Sequence, residues 1–496
     1  MRRNKNFFDT GRSGSTFIII LSILVFSALV FSAPVFAQNL TPAEIKSAIR
    51  TQLKHERGIP AHSIKVKVEE GTAILDGTVD NLLARERAAE VAGSIRGVRA
   101  VVNQIDIQAE DREDEALKAD IREALAIDPA AEAFEIEIQV RDGAVTLTGE
   151  VDSWAEKRLA GKVAKGVRGV EKFTNNLDVE SRTQRPDREI RQEIQERLAW
   201  DLWIDDALIE VAVTDRVVEL SGAVGSLLEK TRALNKARVV GVQAVDSEKL
   251  TVNWLLRDEM RKDSEFQAAE DEKIESALKT AFRNDPRVKS FNVTPMVEDG
   301  VVTLTGVVDN LEAKRAAARD AQNTVGVWRV KNFLRVRPDR IGEDDTLENR
   351  IQKALKRSPD LHRFDVVADV KNAKAYLYGS VDSRYEAARA EEVVSGVKGV
   401  VAVDNNIDIS DEAGPESDDI VESDRELKEN VISELRSSPY VDADTIIVTV
   451  EDGVVTLAGN VTSIRELNVA AQNAREAGAE KVVNLLDFTY GPTSYY

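Results

Sequence analysis

Six times along the chain, apolar and polar residues alternate around a glycine. One copy is VVTLTGVV, from Val301 to Val308, between Gly300 and Asp309. The central glycines are Gly77, Gly149, Gly222, Gly306, Gly379 and Gly459, spaced 72, 73, 84, 73 and 80 residues apart. Strict alternation predicts a strand with one face buried, and a recurrence near 70 residues predicts an array of similar units. Each copy is the return strand of a hairpin. In the last unit Ile446–Val450 leads into Glu451-Asp452-Gly453, and Val454–Val461 returns. Asp-Gly between β-rich runs marks a tight turn, because glycine takes the positive φ required. Asp215 and Asn372 stand near that place in the third and fifth units. Glycine weakens a strand interior. The six inner glycines are therefore read as structural, serving a bulge or a helix packed close over the strand.

A second period flanks each hairpin. Ile45, Ile49 and Leu53 fall every fourth residue, as do Leu117, Ile121 and Leu125; Ile190, Ile194 and Leu198; Ile274, Leu278 and Phe282; Leu347, Ile351 and Leu355; and Leu427, Val431 and Leu435. That spacing lays an apolar stripe on one helix face. Thr41-Pro-Ala-Glu44 has the form of a capping box with proline at the first helical position. After the hairpin, Leu82–Ile95 reads as a second helix with Ala84, Ala88, Val91 and Ala92 inward, close enough to need the strand glycine. Helix-ending glycines follow at Gly97, Gly169, Gly241, Gly326, Gly399 and Gly478, each before a third strand. Six residues further on stand Asn103, Asn175, Asn332, Asn405 and Asn484, with Ser247 in the third unit. Asparagine is disfavoured in strands, so it is expected to satisfy backbone groups at a bend.

The fold class is α+β: six tandem α-β-β-α-β domains at 41–108, 114–180, 187–253, 270–337, 344–410 and 424–489. An acidic linker with Gly414-Pro415 covers 411–423. The polar stretch Leu255–Ala269 divides the array into two halves of three. Units this small bury little surface alone, so neighbours are expected to pack in pairs. Hydrophobic residues make 43% of the chain and aromatics 5%, which makes each core aliphatic.

Residues 1–37 read as a signal peptide. Arg2, Arg3, Lys5 and Arg12 precede the apolar run Phe17–Phe31, and Val35-Phe-Ala37 offers a cleavage site. An uncleaved membrane anchor is the alternative. No cysteine occurs, which excludes disulfides, thiolate metal sites and a cysteine nucleophile. The expected location is the periplasm. The net charge of −20 opposes binding to nucleic acid.

Candidate chemistry is sparse. The three histidines, His55, His62 and His362, belong to separate units and cannot converge on a metal. No phosphate-binding glycine loop and no nucleophile elbow appears. The expectation is no enzyme, no cofactor and no small-molecule substrate. Basic residues are more informative, because the first and fourth units carry a slight positive charge while the second, third and sixth are acidic. Lys46, Arg50, Lys54 and Arg57 stripe the opening helix of the first unit; Arg329, Lys331, Arg335 and Arg337 alternate along the last strand of the fourth. Such faces can lie on anionic phospholipid, and these eight residues are the candidate lipid-binding set. Trp200, Trp203 and Trp254 cluster in the third unit and serve buried packing or an interface.

The alternating strand with its glycine, the alanine-rich helix after it, and endings such as Gly399-VVAVDN405 together resemble the BON domain family, in all six units and about four fifths of the chain. The resemblance implies a mixed three-stranded sheet covered by two helices. It further implies a periplasmic protein of envelope maintenance and osmotic stress that binds phospholipid or envelope partners. A protein-binding or chaperone-like scaffold without lipid affinity is the alternative. Six copies exceed the family's usual one to three, and the third unit departs most, lacking the asparagine and the turn glycine.

Overall fold

A computed structural model describes residues 40–55, 58–128, 136–180, 185–260, 269–289, 291–338, 343–410, 424–461, 463–479 and 481–488. The expected signal peptide and the 411–423 linker lie outside them. The chain folds as six α-β-β-α-β units, each with one mixed sheet. The glycine-bearing strand is central, antiparallel to its hairpin partner and parallel to the last strand. In the third and fourth units the last strand is broken in two, into Ala244–Asp246 and Leu250–Val252, and into Arg329–Asn332 and Arg335–Val336.

The opening helices are Pro42–His55, Asp114–Ile127, Asp187–Ala199, Asp271–Asn284, Asp344–Arg357 and Asp424–Ser437. Their apolar stripes are buried as the four-residue spacing requires. The second helices, Leu82–Ser94, Trp154–Lys165, Leu227–Ala237, Leu311–Gln322, Arg384–Ser395 and Ile464–Glu476, start on a serine or asparagine whose side chain accepts a backbone N–H of the first turn. Both helices cover one face of the sheet, and the alanines expected inward, Ala84, Ala88 and Ala92, are fully buried.

Each hairpin turns on two residues of positive φ, such as Asp299 and Gly300 or Asp452 and Gly453. In the third and fifth units the second place holds Arg216 (φ 66°) and Ala373 (φ 60°). These turns are held by an aspartate that begins the opening helix. Its carboxylate accepts both turn N–H groups, as in Asp187 with Asp215 and Arg216, at 2.9 and 3.0 Å, and Asp344 with Asn372 and Ala373, at 2.9 and 3.0 Å. Asp114, Asp271 and Asp424 do the same in their units. Pro42 occupies this place in the first unit.

The strand glycines take φ between 105° and 141°. Their reason differs from the expected close approach of the alanine helix. A Cβ at Gly306 would stand 2.5 Å from the carbonyl oxygen of Asn292, just before the partner strand, and at Gly77 2.0 Å from that of Ser63. The hairpin partner, through its backbone, excludes a side chain there. The asparagines behave as expected. Asn405 Nδ2 donates to Ala387 O at 2.8 Å and its Oδ1 accepts from Ile407 N, which stitches the last strand to the second helix.

Six hydrophobic clusters, one per unit, form the core. The units do not pack as two halves of three. Arg96 N donates to Ser437 O at 2.8 Å, joining the first unit to the sixth. Arg465 Nη1 donates to Leu202 O at 2.8 Å, joining the sixth to the third. Leu202 N donates to Asn323 O at 2.9 Å and Val325 N to Trp200 O at 3.1 Å, joining the third to the fourth. Arg287 pairs with Asp128 at 3.4 Å, joining the fourth to the second. Arg168 N donates to Arg357 O at 2.9 Å, joining the second to the fifth. Arg87 pairs with Asp360 at 3.3 Å and lies over the Tyr385 ring, joining the fifth to the first. The contacts close a circuit in the order first, sixth, third, fourth, second, fifth. They are made by helices and helix ends, which leaves outer sheet faces open. The short helix Arg257–Met260 does not separate halves: Arg257 Nη1 donates to Val441 O, and Met260 is buried with its carbonyl accepting from Ala207 N.

Candidate functional site

The open sheet face of the fourth unit gathers four of the basic residues singled out above. Along its central strand Val302, Leu304 and Val308 point to the helices, so Val301, Thr303, Thr305 and Val307 point away. Register sets the neighbours. Met296, Thr303 and Lys331 form one row, Glu298, Val301 and Arg329 the next, and Val307 lies beside Arg335. Phe333 and Arg337 continue the exposed alternation. Met296 is 60% exposed and Phe333 63%. Trp328, 43% exposed, stands at the hairpin end, against Gly300. The strands thus supply four cations, one acid and a group of large apolar side chains on one uncovered surface. The sixth unit exposes a comparable apolar pair, Ile447 and Leu485, in one row across Ala458, with Asp487 next along the same face and Glu451 in a row with Lys481.

On the first unit, Lys46, Arg50 and Lys54 are all exposed in a stripe that flanks the buried Ile45, Ile49 and Leu53 on the opening helix. A shallow groove runs between them, lined by Ala43, Ser47 and Thr51. Arg57 lies outside the described residues. On the same helix Gln52 is engaged elsewhere, donating to Glu434 of the sixth unit at 2.5 Å. One basic surface lies on the opening helix of the first unit and the other on the outer sheet face of the fourth, so the two are separate sites.

The tryptophans join units. Trp154 Nε1 donates to Val242 O, Trp203 Nε1 to Asn323 Oδ1, and Trp254 Nε1 to Pro439 O. Trp203 meets Tyr440 edge-on with ring centroids 5.5 Å apart, and the guanidinium of Arg96 lies 3.2 Å over Trp254. His62 and His362 are exposed, in different units. Among the described residues no group of three or more histidines, aspartates and glutamates could hold a metal ion, and no helix is long and apolar enough to cross a membrane.

The apolar half of the fourth-unit surface was not singled out in sequence. Its signal was the placement of Met296 and Phe333 in register with the alternating cations, which requires the strand pairing to be known.

Comparison with known proteins agrees with the six-unit reading. Residues 41–109, 113–181, 186–253, 270–338, 343–411 and 423–490 each match the BON domain. Osmotically-inducible protein Y of Escherichia coli is 32% identical over 140 residues, which are 27% of this chain and 70% of that protein. Outer membrane lipoprotein DolP of Haemophilus influenzae is 28% identical over 146 residues, 28% of this chain and 76% of that protein. A likeness to the solved structure of CdsD, a structural protein of the type III secretion system of Chlamydia trachomatis, has 15% identity, covers 41% of this chain and 90% of that one, and gives a TM-score of 0.12, too low to add to the assignment. Matched six times over most of its length, the chain belongs to the BON domain family.

Proposed function

We propose that this protein acts without catalysis in the periplasm, supporting envelope integrity under osmotic stress, and that the open sheet face of its fourth unit binds anionic phospholipid. The similarity to an osmotically inducible protein and to an outer membrane lipoprotein supports the setting. The observation that carries the lipid reading is the surface itself: Arg329, Lys331, Arg335 and Arg337 run along one edge, with Phe333 among them and the exposed Val307 and Met296 on the neighbouring strands. Cations meet anionic headgroups while the apolar side chains enter the boundary beneath them. Each lysine or arginine near such a leaflet contributes about 1 kcal/mol. The net charge of −20 opposes the approach, and salt screens the attraction over about 8 Å at physiological ionic strength. Weak, salt-sensitive binding follows.

Co-sedimentation with vesicles tests this. The full chain binds vesicles containing phosphatidylglycerol at low salt, and not vesicles of phosphatidylcholine alone. Phe333→Ser with Lys331→Glu removes most of the binding. Lys46→Glu, Arg50→Glu and Lys54→Glu together remove only the share due to the first unit. A wild-type chain that ignores anionic vesicles at low salt sinks the lipid reading and leaves a scaffold for envelope proteins.

A further inference from the structure

A chamber of about 1000 Å³ opens where helices of the second, third and fourth units converge, with the first and sixth contributing Glu90 and Tyr440 to its wall. A volume of that size is at the upper end of small-molecule sites. The charges around it are unevenly satisfied. Arg232 and Lys236 both pair with the buried Asp201, at 2.6 Å each. Arg287 is held by Asp128 and Glu312. Arg158 and Arg197 are not matched in this way. Arg158, exposed at the chamber, donates to Asn235 O at 3.5 Å, and Arg197 feels the charges of Glu193, Asp201 and Asp320.

The two guanidiniums also repel each other. Burial lowers the pKa of Arg158, and the charge of Arg197 lowers it further. Of the acids acting on Arg197, Glu193 already pairs with Arg185 and Asp201 with Arg232 and Lys236, which leaves Asp320. Its Oδ2 is buried with no hydrogen-bond partner, and burial followed by the nearby Asp285 pushes its carboxyl well above the usual range. Asp320 is thereby held toward its neutral form. Guanidinium forks recognise phosphate and carboxylate by paired charge-assisted hydrogen bonds. The remaining wall offers Trp200 and Leu159 as apolar surface.

We propose that this chamber binds a small organic anion, bearing phosphate or carboxylate groups, with its charge between Arg158 and Arg197 and its apolar part against Trp200 and Leu159. The site is formed only when the units are assembled, since Arg158 and Arg197 come from different ones. It is distinct from the outer face of the fourth unit and does not depend on lipid binding.

Isothermal titration of the full chain at constant ionic strength tests the site, with phenyl phosphate and phthalate as anionic probes and benzylamine as a cation of similar size. At least one anion binds at one per chain and benzylamine does not; the tighter of the two anions identifies phosphate or carboxylate as the natural group. Arg158→Gln and Arg197→Gln each weaken binding on the order of tenfold, while Lys65→Gln, exposed on the first strand of the first unit, leaves it unchanged. Should Arg197→Gln fail to fold by circular dichroism, Arg158→Gln decides. The proposal is overturned if neither anion binds the wild type, if benzylamine binds as tightly, or if a folded arginine variant binds as the wild type does.

Discussion

The carboxylate of Asp424 accepts hydrogen bonds from Asp452 N and Gly453 N, at 3.0 Å each, and so fixes the start of an opening helix to the hairpin turn of its own unit. The same separation of 28 and 29 residues recurs at Asp114, Asp187, Asp271 and Asp344. One side chain thus satisfies two turn N–H groups and places a negative charge at a helix N-terminus, where the helix dipole favours it.

Removing this clamp loosens one unit. Asp424→Ala costs about 1–3 kcal/mol, the range for charge-assisted hydrogen bonds. Hydrogen exchange of the full chain shows the effect as faster exchange at Asp452 and Gly453, with the turn at Asp299 and Gly300 unaffected. Equal protection at Asp452 with and without the change removes the clamp from the account.

The strand glycines separate two explanations. Gly306 has φ of 130°, and a Cβ there meets Asn292 O at 2.5 Å. Gly306→Ala is therefore destabilising by roughly 1–3 kcal/mol, the cost of a strained backbone position. Packing against the alanine helix alone would tolerate so small a side chain. A thermal midpoint for Gly306→Ala equal to the wild type, with Gly306→Val lower, would return the argument to the helix.

The junction of the first and sixth units titrates. Burial pushes the Glu434 carboxyl up to about 7, with the nearby Glu476 adding repulsion and the hydrogen bond from Gln52 opposing it. The folded state then holds a proton that the unfolded chain releases near its ordinary value of 4.5. The folded form binds more protons in that interval, so stability falls as pH rises from about 4.5 to 7 and levels off above. Denaturation at a series of pH values shows this slope, and Glu434→Gln flattens it. A slope unchanged in Glu434→Gln would assign the titration to another group.

Cutting the chain between Ser410 and Ser423 does not free the sixth unit. Arg465 donates to Leu202 O and pairs with Asp205, and Arg96 N donates to Ser437 O, so the sixth unit is held by the third and the first. Limited proteolysis gives two fragments on a denaturing gel that co-elute by native size exclusion. Arg465→Ala weakens the association, because it leaves Asp205 without its partner at a covered junction. Separation of the wild-type fragments would show that these contacts do not hold the circuit together.

Within each unit, the elements and their order were legible in the sequence. Alternation around the glycine, the four-residue stripe and the turn residues all act within about seventy neighbouring positions, and each repeats six times. The asparagine stitch was legible for the same reason: Asn405 sits where a strand disfavours it. The constant 28-residue step from Asp114 to Asp142 and from Asp424 to Asp452 was also present in the sequence, but only the fold shows that it closes a hydrogen bond. The role of Gly306 required the strand pairing, since the atom it avoids belongs to Asn292.

The order in which units touch, and the two surfaces proposed to bind, were decided by tertiary structure. Three junctions use one repeat position, the N–H just before Gly97, Gly169 and Gly326, but which unit meets which rests on side chains that differ from copy to copy, Trp203 in the third, Arg287 in the fourth, Asp360 in the fifth and Tyr440 in the sixth. A repeat encodes what each copy does with its own residues. What one copy does with another depends on single positions hundreds of residues apart, whose charge and shape acquire meaning only when the folded units meet.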